Sequence, residues 1–138
     1  MAGTEERALQ PNRGTLDLAR SLAAIRQAAE ARRFLSYGDV AAASGLAWSV
    51  ARRRMDPHLF DLCRRGTARG WPLLPAIVVD KRSVPHGAMR GRPLIGFARA
   101  AERCGRVIPG GDAASFLAAE QRRVFDWAEK ERGHDLHA

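Results

Sequence analysis

The chain has few or none of several sequence features that usually guide the assignment of a function. Lys81 and Lys130 are its only lysines, and Cys63 and Cys104 are its only cysteines. The cysteines stand far apart, with no C-x-x-C pair and no histidine at zinc spacing, so we expect packed thiols and no metal or cofactor. No apolar run is long enough to cross a membrane. The first residues lack the apolar core of a signal peptide, and we therefore expect a cytoplasmic protein.

What the chain has is positive charge. It carries 23 Lys and Arg against 15 Asp and Glu, a formal net charge of +8, and nearly all of the positive charge is arginine. Arginine presents a planar fork of donors that suits phosphates and guanine edges. A composition shaped by a GC-rich genome would explain the choice of Arg over Lys but not the excess. A small, strongly basic domain has nucleic acid as its first candidate partner.

The 138 residues, 46% of them hydrophobic, predict one globular domain that is mainly α with a small β component. We expect a loose arm over 1–14, a domain over 15–132 and a tail over 133–138. Hydrophobic periodicity, caps and breakers divide the domain into elements. These are helices over 15–33, 36–44, 47–55, 57–67, 94–104 and 113–132, a strand over 76–79, and a Gly/Pro-rich loop over 80–93. Asp56 and Asp112 are placed to cap the helices that begin at Pro57 and Ala113, and proline suits a first helical position.

Residues 36–55 predict two helices joined by a glycine turn. Ser36 is placed to cap the first helix, and Gly45 to end it in a left-handed conformation. Trp48, Ala51 and Met55 share one face of the second helix, which we expect to be buried. Helix, turn and basic helix is the helix-turn-helix order, whose second helix can enter the major groove. The second helix would present Ser49, Arg52, Arg53 and Arg54. The alternative is an ordinary helical hairpin with a solvated basic face.

Three helices followed by a strand and a basic loop is the order of a winged helix. The wing is a loop that rests on the DNA backbone beside the helix that reads the groove, and its cations position the domain on phosphates. Here that loop carries Lys81, Arg82, Arg90 and Arg92. The sequence therefore predicts a winged-helix-like domain with an extra C-terminal helix. The alternative for this loop is a solvated surface connection.

Ser-Tyr-Gly-Asp-Val-Ala at 36–41, followed by a Gly and by Ala-Arg at 51–52, resembles the DNA-binding part of the O6-alkylguanine alkyltransferases and their catalytically dead relatives. The resemblance implies that Tyr37 lies near DNA; the alternative is a packed aromatic. The reactive Pro-Cys-His-Arg motif of that family falls on 74–79, where Pro75 is present but Cys, His and Arg are absent. Alkyl transfer needs an activated thiolate, so we do not expect it here.

A second resemblance spans roughly 34–128. Leu-Pro-Ala-Ile-Val-Val-Asp-Lys at 74–81, Pro-x-Gly at 85–87 and Gly-Phe at 96–97 look like a segment of small bacterial winged-helix-like domains. Those domains occur in or beside restriction-type and HNH-nuclease proteins. The resemblance implies an accessory, DNA-associated role and no chemistry of its own.

The sequence does not predict an enzyme. Asp80-Lys81 follows the predicted strand, but the acidic-x-Lys spacing and a second carboxylate of a restriction-type nuclease are missing. His58 and His86 stand apart from any paired HNH residues, and no Ser-His-Asp set is placed by the pattern. An unrecognised small hydrolase is a third, weaker hypothesis.

The leading hypothesis is a non-enzymatic protein that binds nucleic acid, with double-stranded DNA as the expected ligand. The alternative is a protein-interaction module that docks on a larger nuclease, defence or anti-defence complex. Its support is the last helix, which carries more large apolar groups than one buried face needs. Phe125 lies off the main stripe of that helix, and with Trp127 it is the candidate partner-binding pair.

Overall fold

A computed structural model describes the backbone of residues 15–137 and the side chains of 15–132. Within this part of the chain, the protein is mainly helical with one small sheet, which confirms the predicted fold class. The predicted arm over 1–14 lies outside the described residues. The elements in order are α1 Leu18–Glu30, β1 Leu35–Ser36, α2 Tyr37–Ala43, α3 Trp48–Ala68, a 3-10 turn Leu74–Ile77, β2 Val78–Val79, a 3-10 turn Lys81–Ser83, α4 Gly91–Arg103, a 3-10 turn Pro109–Gly111 and α5 Ala113–His137.

The sheet is a parallel pair in which Leu35 lies opposite Val78 and Ser36 opposite Val79. The predicted strand over 76–79 is therefore half as long as expected, because Ala76 and Ile77 close the 3-10 turn that begins at Leu74. The strand β1 was not predicted, and its two residues lie between two helices. The basic loop over 80–93 contains no strand. Its likeness to a wing therefore rests on its charge, and the winged-helix comparison stays a prediction.

One continuous helix occupies the place where two were predicted. α3 runs for 21 residues through Pro57, so the prediction that Asp56-Pro57 starts a new helix is wrong. Proline removes one N–H from the helical ladder, and that loss usually ends or kinks a helix. Here Met55, His58 and Leu62 are buried on either side of the proline. Tertiary packing of that face holds the helix together where the local signal favoured a break.

The predicted caps at Ser36 and Asp112 are confirmed, whereas the one predicted at Asp56 falls inside α3. The Ser36 hydroxyl accepts from the Asp39 N–H, and the Asp39 carboxylate accepts from the Ser36 N–H, which makes a capping box. Asp112 accepts from the Ser115 N–H at 3.1 Å in the first turn of α5. The ends are less well predicted: α4 begins at Gly91 instead of Leu94, and α5 continues past Arg132 to His137.

The 3-10 turn Leu74–Ile77 lies at the centre of the core, and α1, α3 and α5 all pack on it. α5 fastens this turn with two buried polar side chains. Glu120 accepts from the Leu73 N–H at 2.7 Å, and the Gln121 amide donates to the Ala76 carbonyl at 3.0 Å. The same amide donates to the Gly87 carbonyl at 2.8 Å. These bonds fix the segment that carries β2 and the basic loop, and with it one wall of the site described next.

Candidate nucleic-acid interface

A groove of about 690 Å³ lies between α3 and α4. α4 explains why the two helices leave this space. Its residues toward the groove include Gly96 and Ala100, which are too small to reach across to α3. They alternate with Arg92, Arg99 and Arg103, whose side chains extend to the surface. The i, i+4, i+7, i+8, i+11 spacing of these residues places them on one helical face. We call this cavity the arginine groove.

The floor of the arginine groove is apolar. Met55 and Cys63 come from α3, Val78 from β2, Met89 from the basic loop and Phe97 from α4. All five are buried. Burial raises the pKa of the Cys63 thiol to about 12, so this sulfur stays protonated and uncharged at neutral pH. The floor therefore offers hydrocarbon and neutral sulfur surface.

The rim is cationic. Four arginines line it, Arg52 from α3 and Arg92, Arg99 and Arg103 from α4, against one carboxylate, Asp56. Within the described residues, Arg52, Arg92 and Arg99 make no hydrogen bond or ion pair. Arg103 stacks across the groove, with its guanidinium carbon 3.8 Å from the centre of the Phe60 ring. Three guanidinium groups therefore keep their donors available to a ligand.

Tyr37 and Trp48 form an aromatic wall of the groove. Their rings stack with centroids 6.2 Å apart and planes 26° from parallel. Trp48 is 44% exposed, so the prediction that it belongs to the core is wrong, while Ala51 and Met55 are buried as predicted. The reason is position: Trp48 is the first residue of α3, where the helix emerges from the turn. Tyr37 is half-buried, and burial, with the carboxylates of Asp56 and Asp80, raises its pKa to about 12.

The remaining predicted residues of α3 lie on its outer face. Ser49 and Arg53 are four residues apart, so they share one side of the helix, next to the side that carries Arg52. Both are exposed, as is Arg54. Val50 is 49% exposed on the same turn, an apolar surface residue that the sequence analysis did not single out. The three consecutive arginines are thus all on the surface, but they point in different directions around the helix.

The basic loop contributes less to the groove than predicted. Lys81, Arg82 and Arg90 are exposed, but none of them lines the groove. Arg92 does, because it belongs to the first turn of α4. Arg99 and Arg103 replace the loop cations in the groove, and sequence analysis overlooked them. Their spacing of seven and eleven residues from Arg92 along an amphipathic helix is the signal that could have found them.

The candidate partner-binding pair is not available to a partner. Trp127 is 8% exposed and its ring lies 5.2 Å from that of Trp71 in the core. Phe125 is half-buried and packs edge-on against Phe34 at 5.4 Å. The prediction that these two residues form a docking surface is corrected: α5 needs two apolar faces because α1 and the 3-10 turn Leu74–Ile77 both pack on it. The argument from sequence for an interaction module relied on these two residues, and it no longer holds.

A serine–histidine pair exists where the sequence analysis saw an isolated histidine. Ser21 Oγ of α1 lies 2.7 Å from His58 Nε2 of α3. Burial lowers the pKa of His58, and Asp61 and Asp17 oppose that shift only in part. Ser21 has no exposed surface and His58 is 9% exposed, so this contact is a buried link between α1 and α3. Among the described residues, no cluster of His, Cys, Asp or Glu could hold a metal ion.

None of the described helices combines the length and apolar character needed to span a bilayer. Comparison of the chain with family models, curated proteins and solved structures gave no match. The assignment of function therefore rests on the geometry of the arginine groove and of the outer face of α3.

Proposed function

We propose that this protein binds nucleic acid without chemistry of its own, and that its ligand is double-stranded DNA. The observation that carries the proposal is the placement of arginines that the fold does not use. Arg52, Arg92 and Arg99 line one groove, meet no carboxylate among residues 15–132, and lie beside the exposed Arg53 of α3. Guanidinium groups left without partners on one side of a small domain suit a phosphate backbone.

In this proposal the outer face of α3 approaches the bases. Its N-terminal turns carry Ser49, Val50 and Arg53 on the surface, after a short turn from α2. Those residue types can contact a base edge, a thymine methyl group and a guanine, respectively. The groove arginines, together with Lys81, Arg82 and Arg90, contact phosphates on either side. Tyr37 contributes indirectly, because its stacking on Trp48 fixes the start of α3.

The test is a charge reversal on the outer face of α3. The double variant Arg53→Glu, Arg54→Glu places two carboxylates where phosphates are expected, and its affinity for a duplex of random sequence should fall by about a hundredfold or more. Both side chains are exposed, so the circular-dichroism spectrum and the melting temperature should stay close to those of the wild type.

The matched control is Arg122→Glu, Lys130→Glu on α5. It changes the net charge by the same amount, and both side chains are exposed. If binding depends only on net charge, the two double variants lose affinity equally. The proposal requires a much larger loss for the α3 variant, and equal losses, or no loss in either variant, would contradict it.

A further inference from the structure

The arginine groove has the properties of a small-molecule site as well as those of a phosphate-binding surface. Its volume of about 690 Å³ lies within the range of about 300–1,000 Å³ typical of ligand pockets. We propose that it binds a small organic anion that combines a flat, preferably aromatic, body with a carboxylate, sulfonate or phosphate group. The site shares Arg52, Arg92 and Arg99 with the proposed DNA contacts, and its own test uses small probes in the absence of DNA.

The floor selects the body of this ligand. Met55 and Met89 supply flexible, polarizable side chains that adapt to a flat apolar group, and Phe97 supplies an aromatic ring beside them. Trp48 and Tyr37 present aromatic surface at the wall. An aromatic body would cover this surface and remove it from water, which is the main source of affinity for such pockets.

The rim selects the charge. Arg52 of α3 and Arg92 and Arg99 of α4 line the same groove, and no carboxylate in the described part of the chain pairs with them. An anion seated there could therefore accept hydrogen bonds from both helices. A carboxylate or sulfonate matches the fork of a guanidinium group. Asp56 is the single acidic group of the lining, and its one negative charge does not outweigh the positive charge of four arginines, so the groove does not favour a cation.

Gly96 is the position from which a larger side chain can enter the groove. It lines the groove from inside α4, and a Cβ built on it meets no atom within 4 Å. Neither backbone conformation nor packing requires glycine at this position, although glycine is a poor residue for the interior of a helix. Substitutions of Gly96 can therefore test the groove with little disturbance of the surrounding structure.

The experiment compares three probes with one body and three charges: 2-naphthoate, 2-naphthylmethanol and 2-naphthylmethylammonium. Each is titrated into the full-length protein by calorimetry at low salt. The naphthoate should bind at least about tenfold more tightly than the alcohol, since it adds a charge-assisted contact to the same apolar burial, and the ammonium compound should not bind. Equal affinities of the three compounds would overturn the proposal.

Two substitutions at one position locate the site. Gly96→Trp fills the groove and should reduce naphthoate affinity by about tenfold or more, while Gly96→Ala, which adds only a methyl group in open space, should leave it within about twofold. Naphthoate binding that survives Gly96→Trp in a folded protein would show that the probe sits elsewhere, and would overturn the proposal.

A second variant keeps the test valid if Gly96→Trp does not fold. Arg92→Gln, Arg99→Gln alters only exposed side chains, and it should remove the preference for naphthoate over the alcohol. An unchanged preference would contradict the site.

A short single-stranded oligonucleotide tests nucleic acid as the alternative occupant of the groove. If Gly96→Trp reduces the affinity for the oligonucleotide while none of the three probes binds, the occupant is nucleic acid and the proposal fails.

Discussion

The arginines of this protein fall into two regions that use them differently. On the side of α1 and α5, arginines are part of the fold: Arg106 meets the buried Glu120 at 2.7 Å, and the guanidinium group of Arg26 lies 5.2 Å from the ring centre of Trp127. On the side of α3 and α4, Arg52, Arg92 and Arg99 line an open groove and meet none of the carboxylates that the structure describes. The arginines behind the net charge of +8 therefore differ in role: some are held by contacts within the fold, and others lie on an open groove.

The comparison shows why composition alone is a weak guide to function. An arginine that pairs with a carboxylate adds no net charge to its surroundings, and one that lies over a tryptophan is held by packing. Only arginines left without partners create a local field that attracts a polyanion. The predictions below test the two regions separately, by substituting residues in each and measuring the effect on stability, titration or binding.

The largest effect is expected at Glu120, the centre of the structural region. Its carboxylate accepts hydrogen bonds from the Arg106 side chain and the Leu73 N–H and forms an ion pair with Arg123. Glu120 is 1% exposed. Arg106 and the other donors hold its pKa below the usual value against the opposing effect of burial. Glu120→Ala leaves a partly buried guanidinium group and a buried N–H without their acceptor, and should cost about 3–5 kcal/mol of unfolding free energy.

Urea unfolding followed by circular dichroism measures that loss. The control is Glu129→Ala, which removes an exposed partner of Arg32 and should change stability by less than about 1 kcal/mol. Similar losses in the two variants would mean that the buried network contributes no more than a surface ion pair.

The next effect is expected at Gly87 in the basic loop. Gly87 has φ of +78°, and an added Cβ would lie 2.3 Å from an atom of the Phe34 ring. Gly87→Ala should therefore cost about 2–4 kcal/mol through backbone strain and overpacking together. Gly70 has nearly the same φ, +77°, but no atom within 4 Å, so Gly70→Ala should cost only about 1 kcal/mol. Thermal unfolding of the pair isolates the contact with Phe34, and equal costs would refute it.

A smaller, pH-dependent effect is expected at His58. Burial lowers its pKa in the folded protein below the unfolded value of about 6.5, so the unfolded state binds more protons as the pH falls through that value. Stability should therefore decrease between about pH 7.5 and about pH 5.5, a window that lies above the titration of most carboxylates.

His58→Gln should flatten this dependence, whereas substitution of the exposed His86 by glutamine should leave it unchanged. The measurement is the urea midpoint at the two pH values. A wild-type midpoint that does not move, or one that moves equally in His58→Gln, would contradict the assignment.

The smallest effect concerns Tyr37, which is the only tyrosine of the chain. Spectrophotometric titration therefore reports on this one phenol. Because Tyr37 is half-buried in the groove wall, its pKa should be about 12 in the folded protein and about 10 in urea. A folded-state value near 10 would mean that the Tyr37–Trp48 wall is open to solvent.

Much of the fold could be predicted from local signals, and the failures have a common cause. The caps at Ser36 and Asp112 and the class of the fold follow from short-range chemistry, which neighbouring residues determine. The continuity of α3 through Pro57 and the burial of Trp127 depend on which elements pack together. Those contacts join residues far apart in the chain, and no local pattern encodes them.

The candidate site was predicted only in part for the same reason. Arg52 and Arg92 were identified because each lies in a basic run, and Arg99 was missed because it stands alone in the sequence. The groove that unites them exists because α3 and α4 lie side by side, with Gly96 and Ala100 between the arginines of α4. Pairing of arginines with distant carboxylates, such as Arg32 with Asp126, was likewise visible only in three dimensions.

The central claim is that the arginines left without partners, and not those used by the fold, bind DNA. The most direct measurement is the dependence of duplex affinity on salt for two triple variants with equal charge loss: Arg52→Gln, Arg92→Gln, Arg99→Gln, and Arg32→Gln, Arg64→Gln, Arg65→Gln. The first should lower the slope of log affinity against log salt by about three, one for each lost phosphate contact, and the second should leave the slope unchanged. Equal slopes in the two variants would contradict the claim.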